Sequence, residues 1–408
     1  MRPLISIAVP THNRARYAIS AIESILSISD ERLELVVSDT STDGELQRHI
    51  ETKDNPWSLD PRLVYCRPAE RLDMTGNHNY AVAHTSGEFV CLIGDDDTIT
   101  EDVLSAAQWA LQHDIDIIAP NVVANYVWPD FRSRLMGDKH AARLYFARKM
   151  GDWALKDCAE SIAAALKNAG QGTDGLPKIY HGIARRTVLE KVHALSGAFF
   201  HGSSPDVSGA LGLSLCSSKF LVVDFPLTIP GASGGSNTGR SAMNTHKGAL
   251  NKELQTKQFE DAGWSAGVPK FFAVETVWAH AALETLSRIA PDKIRQFNFA
   301  RLLGVCTILH SEFKAEIDTA ASQACAITRQ TSEELTKQIN KEASLFKRER
   351  FWKLMKRLAK PTAAGGRSYT GNLRTVADSP AALKQHMKDK GLSWQQMETQ
   401  MARSDSAP

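Results

Sequence analysis

Short apolar runs alternate with helical apolar stripes through the first third of the chain. LISIAVP (4–10) is β-branched, continuous and closed by Pro10, the pattern of a strand buried on both faces. After the polar turn THNRAR, Ile19, Ile22, Ile25 and Leu26 recur at helical spacing and predict a crossover helix. LELVVSD repeats the strand signal and stops at Asp39, ahead of the turn-rich TSTDG. LVYC (63–66), EFVCLIG (88–94) and DIDIIAPN predict three further strands. Between the last two, Val103, Leu104, Ala107, Ala110 and Leu111 share one face of a helix that Thr98 or Thr100 is placed to cap, with Glu101 and Asp102 in its first turn. This alternation predicts an α/β fold with a doubly wound, mostly parallel, Rossmann-like sheet.

Beyond residue 245 the strand signals fade. Val274, Val277, Trp278 and Ala281, then Leu302, Val305, Cys306 and Leu309, recur at helical spacing and predict an α-helical C-terminal region. AASQACAITRQTSEELTKQINKEASLF continues in polar helix formers and predicts one long exposed helix. In FKRERFWKLMKRLAKP (346–361), Phe351, Leu354, Met355 and Leu358 share a face, with Arg350, Lys353, Arg357 and Lys360 opposite. Such a helix either packs its apolar face on the protein or lies on an anionic membrane. KPTAAGGRSYTGN reads as a linker before a small helical tail. The expected divisions are 1–245, 246–360 and 361–408.

Charge changes this picture little. With 48 Lys plus Arg against 46 Asp plus Glu, the chain lacks the basic excess of a dedicated nucleic-acid binder. Its six cysteines are scattered, without a CxxC pair or a nearby histidine cluster, which points to reduced thiols and a cytoplasmic protein. The opening apolar run is too short for a signal peptide, and no stretch reaches the ~20 apolar residues of a membrane span. The expected location is therefore the cytoplasm, with peripheral contact at the inner face of the membrane through 346–360.

Ligands of doubly wound sheets gather at the carboxyl ends of the strands. There the chain places Thr11, His12 and Asn13, then Asp39, then Asp95, Asp96 and Asp97. If the last three were extended, Asp95 and Asp97 would converge and Asp96 would point away. A hard divalent cation relieves repulsion between converging carboxylates and completes its shell with phosphate oxygens and water, so the cluster suits Mg²⁺ or Mn²⁺ with a diphosphate. The alternative is an acidic turn that caps the next helix.

SIAVPTHNRARY, LELVVSDTSTDG, HNYAVAHTSGEFVCLIGDDDTI and the spacing among them resemble the family 2 glycosyltransferases of GT-A fold, over residues 3–120 closely and 170–235 loosely. The resemblance implies an inverting, metal-dependent transfer of a sugar from a nucleotide diphosphate donor, most naturally a UDP-sugar, to a hydroxyl of a glycan or lipid-linked acceptor in surface polysaccharide assembly. It divides 1–245 into a nucleotide-binding half (1–120) and an acceptor-binding half (121–245). It implies Thr11, His12 and Asn13 in the first nucleotide-binding turn, Asp39 on the base, His78 on base or diphosphate, Asp95 near the ribose and Asp97 on the metal, with Asp96 beside them. Asp206 falls where the family carries its general base, and Ser204-Pro205-Asp206 equally suits a helix cap. His181 falls in the acceptor pocket. Thr40, where the family has a second acid, and His78, where it often has Arg, are departures. GGSNTGRS (234–241) nearly spells a P-loop, but Arg240 replaces the lysine and Pro230 interrupts the feeding strand. It reads as a Gly/Ser loop that closes over the donor with Arg240 on the diphosphate, or as a free surface loop. Two other classes remain: a sugar nucleotidyltransferase, which should show a glycine-rich loop after the first strand where PTHNRARY has none, and a non-catalytic nucleotide-sugar binder or scaffold, with no use for Asp206. A homo-oligomer is compatible with either.

Overall fold

A computed structural model describes residues 2–52, 55–134, 136–236, 248–252, 256–261, 263–358 and 367–405. In chain order its first half comprises β1 (Ile5–Thr11), α1 (Ala15–Leu26), β2 (Leu33–Asp39), α2 (Glu45–Glu51), β3 (Leu63–Cys66), α3 (Met74–Ala83), β4 (Phe89–Leu92), β5 (Thr98–Ile99), α4 (Asp102–Gln112), β6 (Ile117–Pro120), β7 (Ala124–Val127), β8 (Arg143–Phe146), β9 (Trp153–Asp157), α5 (Cys158–Lys167), β10 (Ile183–Arg185), α6 (Arg186–Ser196), α7 (Pro205–Cys216), β11 (Lys219–Val223), β12 (Thr228–Ile229) and β13 (Gly231–Ala232). Then come α8 (Val274–Ile289), α9 (Phe299–Leu309), α10 (Lys314–Thr328), α11 (Ser332–Leu358), β14 (Ser368–Gly371), α12 (Ser379–Asp389) and α13 (Trp394–Asp405).

Every residue of β1 and β2 is buried, as continuous apolar runs require when helices cover both faces of a parallel sheet. The main sheet runs β3-β2-β1-β4-β10-β6-β11-β9. β1 is parallel to β2 and β4, β2 to β3, and β6 to β11, while β10 and β9 run antiparallel to their neighbours. This is the expected doubly wound, mostly parallel sheet. Order reverses at β1, with β2 and β3 on one side and β4 on the other. Neither threonine ahead of α4 caps it through its side chain: Glu101 occupies the N-cap, Thr98 donates to Ser24 Oγ at 2.6 Å, and Thr100 donates to the Pro226 carbonyl at 2.9 Å. Tertiary acceptors have taken both hydroxyls.

The helical region follows as expected, and α8 and α9 share a core with α5 and α7. The long helix after residue 313 is in fact two. Arg329, at φ 59°, ends α10 in the left-handed region, and Thr331 with Glu334 restarts the chain as a reciprocal cap. The tail packs back on the first half: β14 pairs with β8, the His386 ring stacks on Phe146 at 3.8 Å, and Trp394 meets Trp109 and Phe225 edge-on. Val376, Leu383, Met387, Trp394, Met397 and Met401 complete the core that contains β1 and α1. Among the described residues no helix is long and apolar enough to cross a membrane.

Candidate functional site

The crevice where strand order reverses is the geometric default for a ligand in such a sheet. Thr11 ends β1 and donates to Asp95 Oδ2 at 2.7 Å, joining the two sides of the reversal. Behind it, Asn77 on α3 donates to the Thr11 carbonyl at 3.1 Å and accepts from the Ser38 hydroxyl at 2.5 Å. The tips of β1 and β2 are laced further: Asn13 donates its N–H to Ser41 Oγ at 2.7 Å, and its Oδ1 accepts from Thr42 N at 2.8 Å.

Three adjacent carboxylates persist because the first two share Arg14 and the third has donors of its own. Arg14, entering α1, donates Nε to Asp95 Oδ1 at 2.7 Å, and its Nη2 lies 3.0 Å from Asp96 Oδ2. Ser233, which accepts from Arg14 Nη2 at 2.9 Å, gives its own hydroxyl to Asp96 Oδ2 at 2.6 Å. Asp97 turns away from that group. Its Oδ1 accepts the Gly231 N–H and its Oδ2 the Gly94 N–H, each at 2.6 Å, and Oδ2 lies 3.1 Å from His181 Nε2. Pairing of β12 with β5, Ile229 against Thr98, brings Gly231 to Asp97. The expected convergence of Asp95 with Asp97 is thus corrected: residues 94–97 form a turn closed by Asp97 N to Gly94 O at 3.3 Å, so strand alternation does not apply.

Electrostatics separates the three. Burial, then the charge of Asp97, pushes Asp96 up to about 7. Burial also raises Asp95, against the opposing pull of Arg14. Burial acts the same way on Asp97, but His181 and the two backbone N–H groups outweigh it and hold this carboxyl below the usual range. Burial thus opposes negative charge at both Asp95 and Asp96.

Asp206, in the first turn of α7, accepts from the Ser204 hydroxyl. Tyr180 connects it with the triplet. Burial first, and then the charges of Asp97, Asp96, Asp206 and Asp95, drive the Tyr180 phenol well above its ordinary pKa, and its hydroxyl lies 3.4 Å from Asp97 Oδ2. Asp206 also acts on His78, which burial holds below the usual histidine range and whose Nδ1–H donates to the Met74 carbonyl at 2.7 Å. His181 adopts φ 59° and lies 3.1 Å through Nδ1 from the Thr228 hydroxyl, so the ring expected in an acceptor pocket stands against Asp97.

His12 is fixed by Nδ1–H donating to the Thr40 carbonyl at 2.9 Å. Asp39 is fully buried, accepting from Ser41 N at 2.8 Å and from the Tyr65 hydroxyl at 2.7 Å. In this conformation it orders the turn. Arg240 lies outside the described residues. Sequence reasoning missed Arg14, Tyr180, Asn77 and Ser233. Arg14 alone left a signal, a cation one turn after the strand that meets the acidic triplet.

Residues 6–168 match the family described as glycosyl transferase family 2. They are a family 2 glycosyltransferase domain. The chain is 36% identical over 104 residues to the putative colanic acid biosynthesis glycosyl transferase WcaA of Escherichia coli K12, covering 25% of this chain and 36% of that protein. It is 32% identical over 104 residues to the GalNAc(5)-diNAcBac-PP-undecaprenol beta-1,3-glucosyltransferase of Campylobacter jejuni, covering 25% and 33%. It is 24% identical over 167 residues to the glycosyltransferase GlyG of Streptococcus pneumoniae, covering 39% and 54%. The chain thus spans between a third and about half the length of these curated relatives. Among solved structures, TarS 1-349 of S. aureus in complex with UDP-GlcNAc aligns with TM-score 0.44 at 16% identity, over 83% of this chain and 92% of that one.

Proposed function

We propose that the chain is an inverting glycosyltransferase that moves a sugar from a nucleoside diphosphate donor, a UDP-sugar, to a hydroxyl of a lipid-linked or surface glycan. One observation carries the reading: Asp206, far away in sequence, acts on the same buried tyrosine as the acidic triplet at the strand reversal. On this reading the acidic triplet would hold a metal ion and Asp206 would act as the base of the same site. The donor and acceptor classes rest on the family resemblance and on the names of the curated relatives.

The donor set suits a divalent cation. Among the described residues no hydrogen bond reaches Asp96 Oδ1, and each Asp95 oxygen has one donor. Asp97, whose oxygens are filled by two amides and His181, serves better as a brace than as the expected ligand, so Asp95 and Asp96 would hold Mn²⁺ or Mg²⁺. Among the described residues no group of three His, Cys, Asp or Glu side chains is arranged to hold a metal ion, so an ion at this pair would depend on substrate oxygens and water for the rest of its shell. When bound, the ion neutralises the departing diphosphate. Arg14 fixes the rotamers of Asp95 and Asp96, Thr11 holds Asp95 at the end of β1, and Asp206 takes the proton of the attacking hydroxyl.

The test is donor turnover, measured as release of UDP from UDP-sugars with Mn²⁺ present. Asp206→Asn should lower the rate by about 10²-fold or more while UDP binding stays within about twofold of wild type. Turnover unchanged by that substitution contradicts the role of the base.

A further inference from the structure

The last two described turns of α11 stand apart from the rest of the molecule. Earlier in the helix, Leu335 and Ala343 are buried, and a side chain at Gly304 of α9 would come within 2.9 Å of the Ala343 backbone, so the two helices are in tight contact there. From Lys347 to Lys356 every residue is exposed. Phe351 is 55% exposed, Trp352 59%, Leu354 56% and Met355 44%, so the alternative of an apolar face packed on the protein is ruled out for these four. At 100° per residue Phe351, Leu354 and Met355 fall on one face, with Trp352 at its edge and Lys353 and Lys356 opposite.

Charge selects the partner. Residues 347–357 contain six basic side chains, Lys347, Arg348, Arg350, Lys353, Lys356 and Arg357, against one acid, Glu349. That acid is turned back into the molecule, 2.5 Å from Arg301 of α9. A second copy of this helix laid against the first would bring like charges together, whereas anionic headgroups neutralise them while the aromatic and aliphatic residues enter the acyl boundary.

We propose that the end of α11, residues 347–358, is a docking helix for anionic phospholipid surfaces. Leu358 and Ser368 are ten residues apart, so the chain re-enters the protein at β14 no more than about 35 Å from the tip. β14 belongs to the sheet β13-β7-β8-β14, whose β13 supplies the Gly231 amide to Asp97. Docking would therefore tether the sheet that carries β13 to the bilayer through the continuity of the chain. That this serves a lipid-linked acceptor rests on the proposed function; the docking itself does not.

Flotation of the full chain with phosphatidylcholine vesicles, with and without a third of phosphatidylglycerol, tests it. Binding is expected only to the anionic vesicles, weakening with salt and falling at least about tenfold in F351S/L354S and in R350E/K353E. Tryptophan emission should shift to the blue on adding anionic vesicles, and the shift should disappear in Trp352→Phe. UDP affinity, measured on the same variants, should stay at the wild-type value, showing that the fold and the site are intact. Absence of flotation, equal flotation with neutral vesicles, or self-association abolished by F351S/L354S in a chain that ignores vesicles would overturn the proposal. A chain that floats but binds no nucleotide would sink the transferase reading and leave the docking helix standing.

Discussion

Asp96 is where residue chemistry has the sharpest consequence. Its carboxyl, near 3.9 in the unfolded chain and pushed to about 7 in the fold by burial and by Asp97, binds a proton more tightly in the native state. The contribution of Asp96 to native stability is greatest below pH 4 and is lost as pH rises from about 4 to 7, because its ionisation then opposes folding. Asp96→Asn removes that penalty. Thermal melts should show the variant matching wild type near pH 4 and exceeding it by about 2 °C or more at pH 8, and equal melting temperatures at both pH values would refute the account. Arg14→Met should act in the opposite direction, costing about 2 kcal/mol in denaturant unfolding at pH 8, below the usual penalty for breaking a buried pair because Arg14 retains some exposure. The acidic triplet was legible in the sequence, being consecutive. Arg14 was not recognised as its partner, since an ion pair spanning 81 residues exists only once β1 and β4 lie side by side.

At the scale of elements, the two-residue strand β13 depends on a close approach of backbone to backbone. A Cβ on Gly231 would lie 1.8 Å from the Asp96 carbonyl oxygen, which no rotamer change can relieve. Gly231→Ala should therefore displace the amide from Asp97 and reduce UDP affinity by at least about tenfold in calorimetry; unchanged affinity would mean that this brace does not shape the site. Strands β1, β2 and β4 and helix α1 were readable because burial on both faces, or on one stripe, imposes its own period. The pieces that were not readable, β5, β12 and β13, are two residues long and exist only by pairing with distant partners. The break between α10 and α11 was legible in principle, since Thr331 and Glu334 spell a capping box that the run of helix formers concealed.

For the whole molecule, the C-terminal tail is part of the first core and not an addition to it. Trp394 fills a site between Trp109 and Phe225, and Trp394→Ala should cost about 3 kcal/mol or more, read as a lower urea midpoint. A midpoint unmoved by that change would make the tail dispensable. Nothing in its sequence named that partner: helical spacing shows which face is apolar, whereas the choice of surface is made by β14 pairing with β8 after 221 intervening residues. At this scale the central claim is that one crevice, assembled from β1, β4, β13 and α7, holds a metal-bound nucleotide beside a base. Calorimetric titration of UDP with and without Mn²⁺, on wild type and Asp96→Asn, tests it most directly. UDP binding that requires Mn²⁺ and weakens at least about tenfold in the variant is the expected result, while binding of equal strength without the metal, or no binding by wild type, would contradict the account.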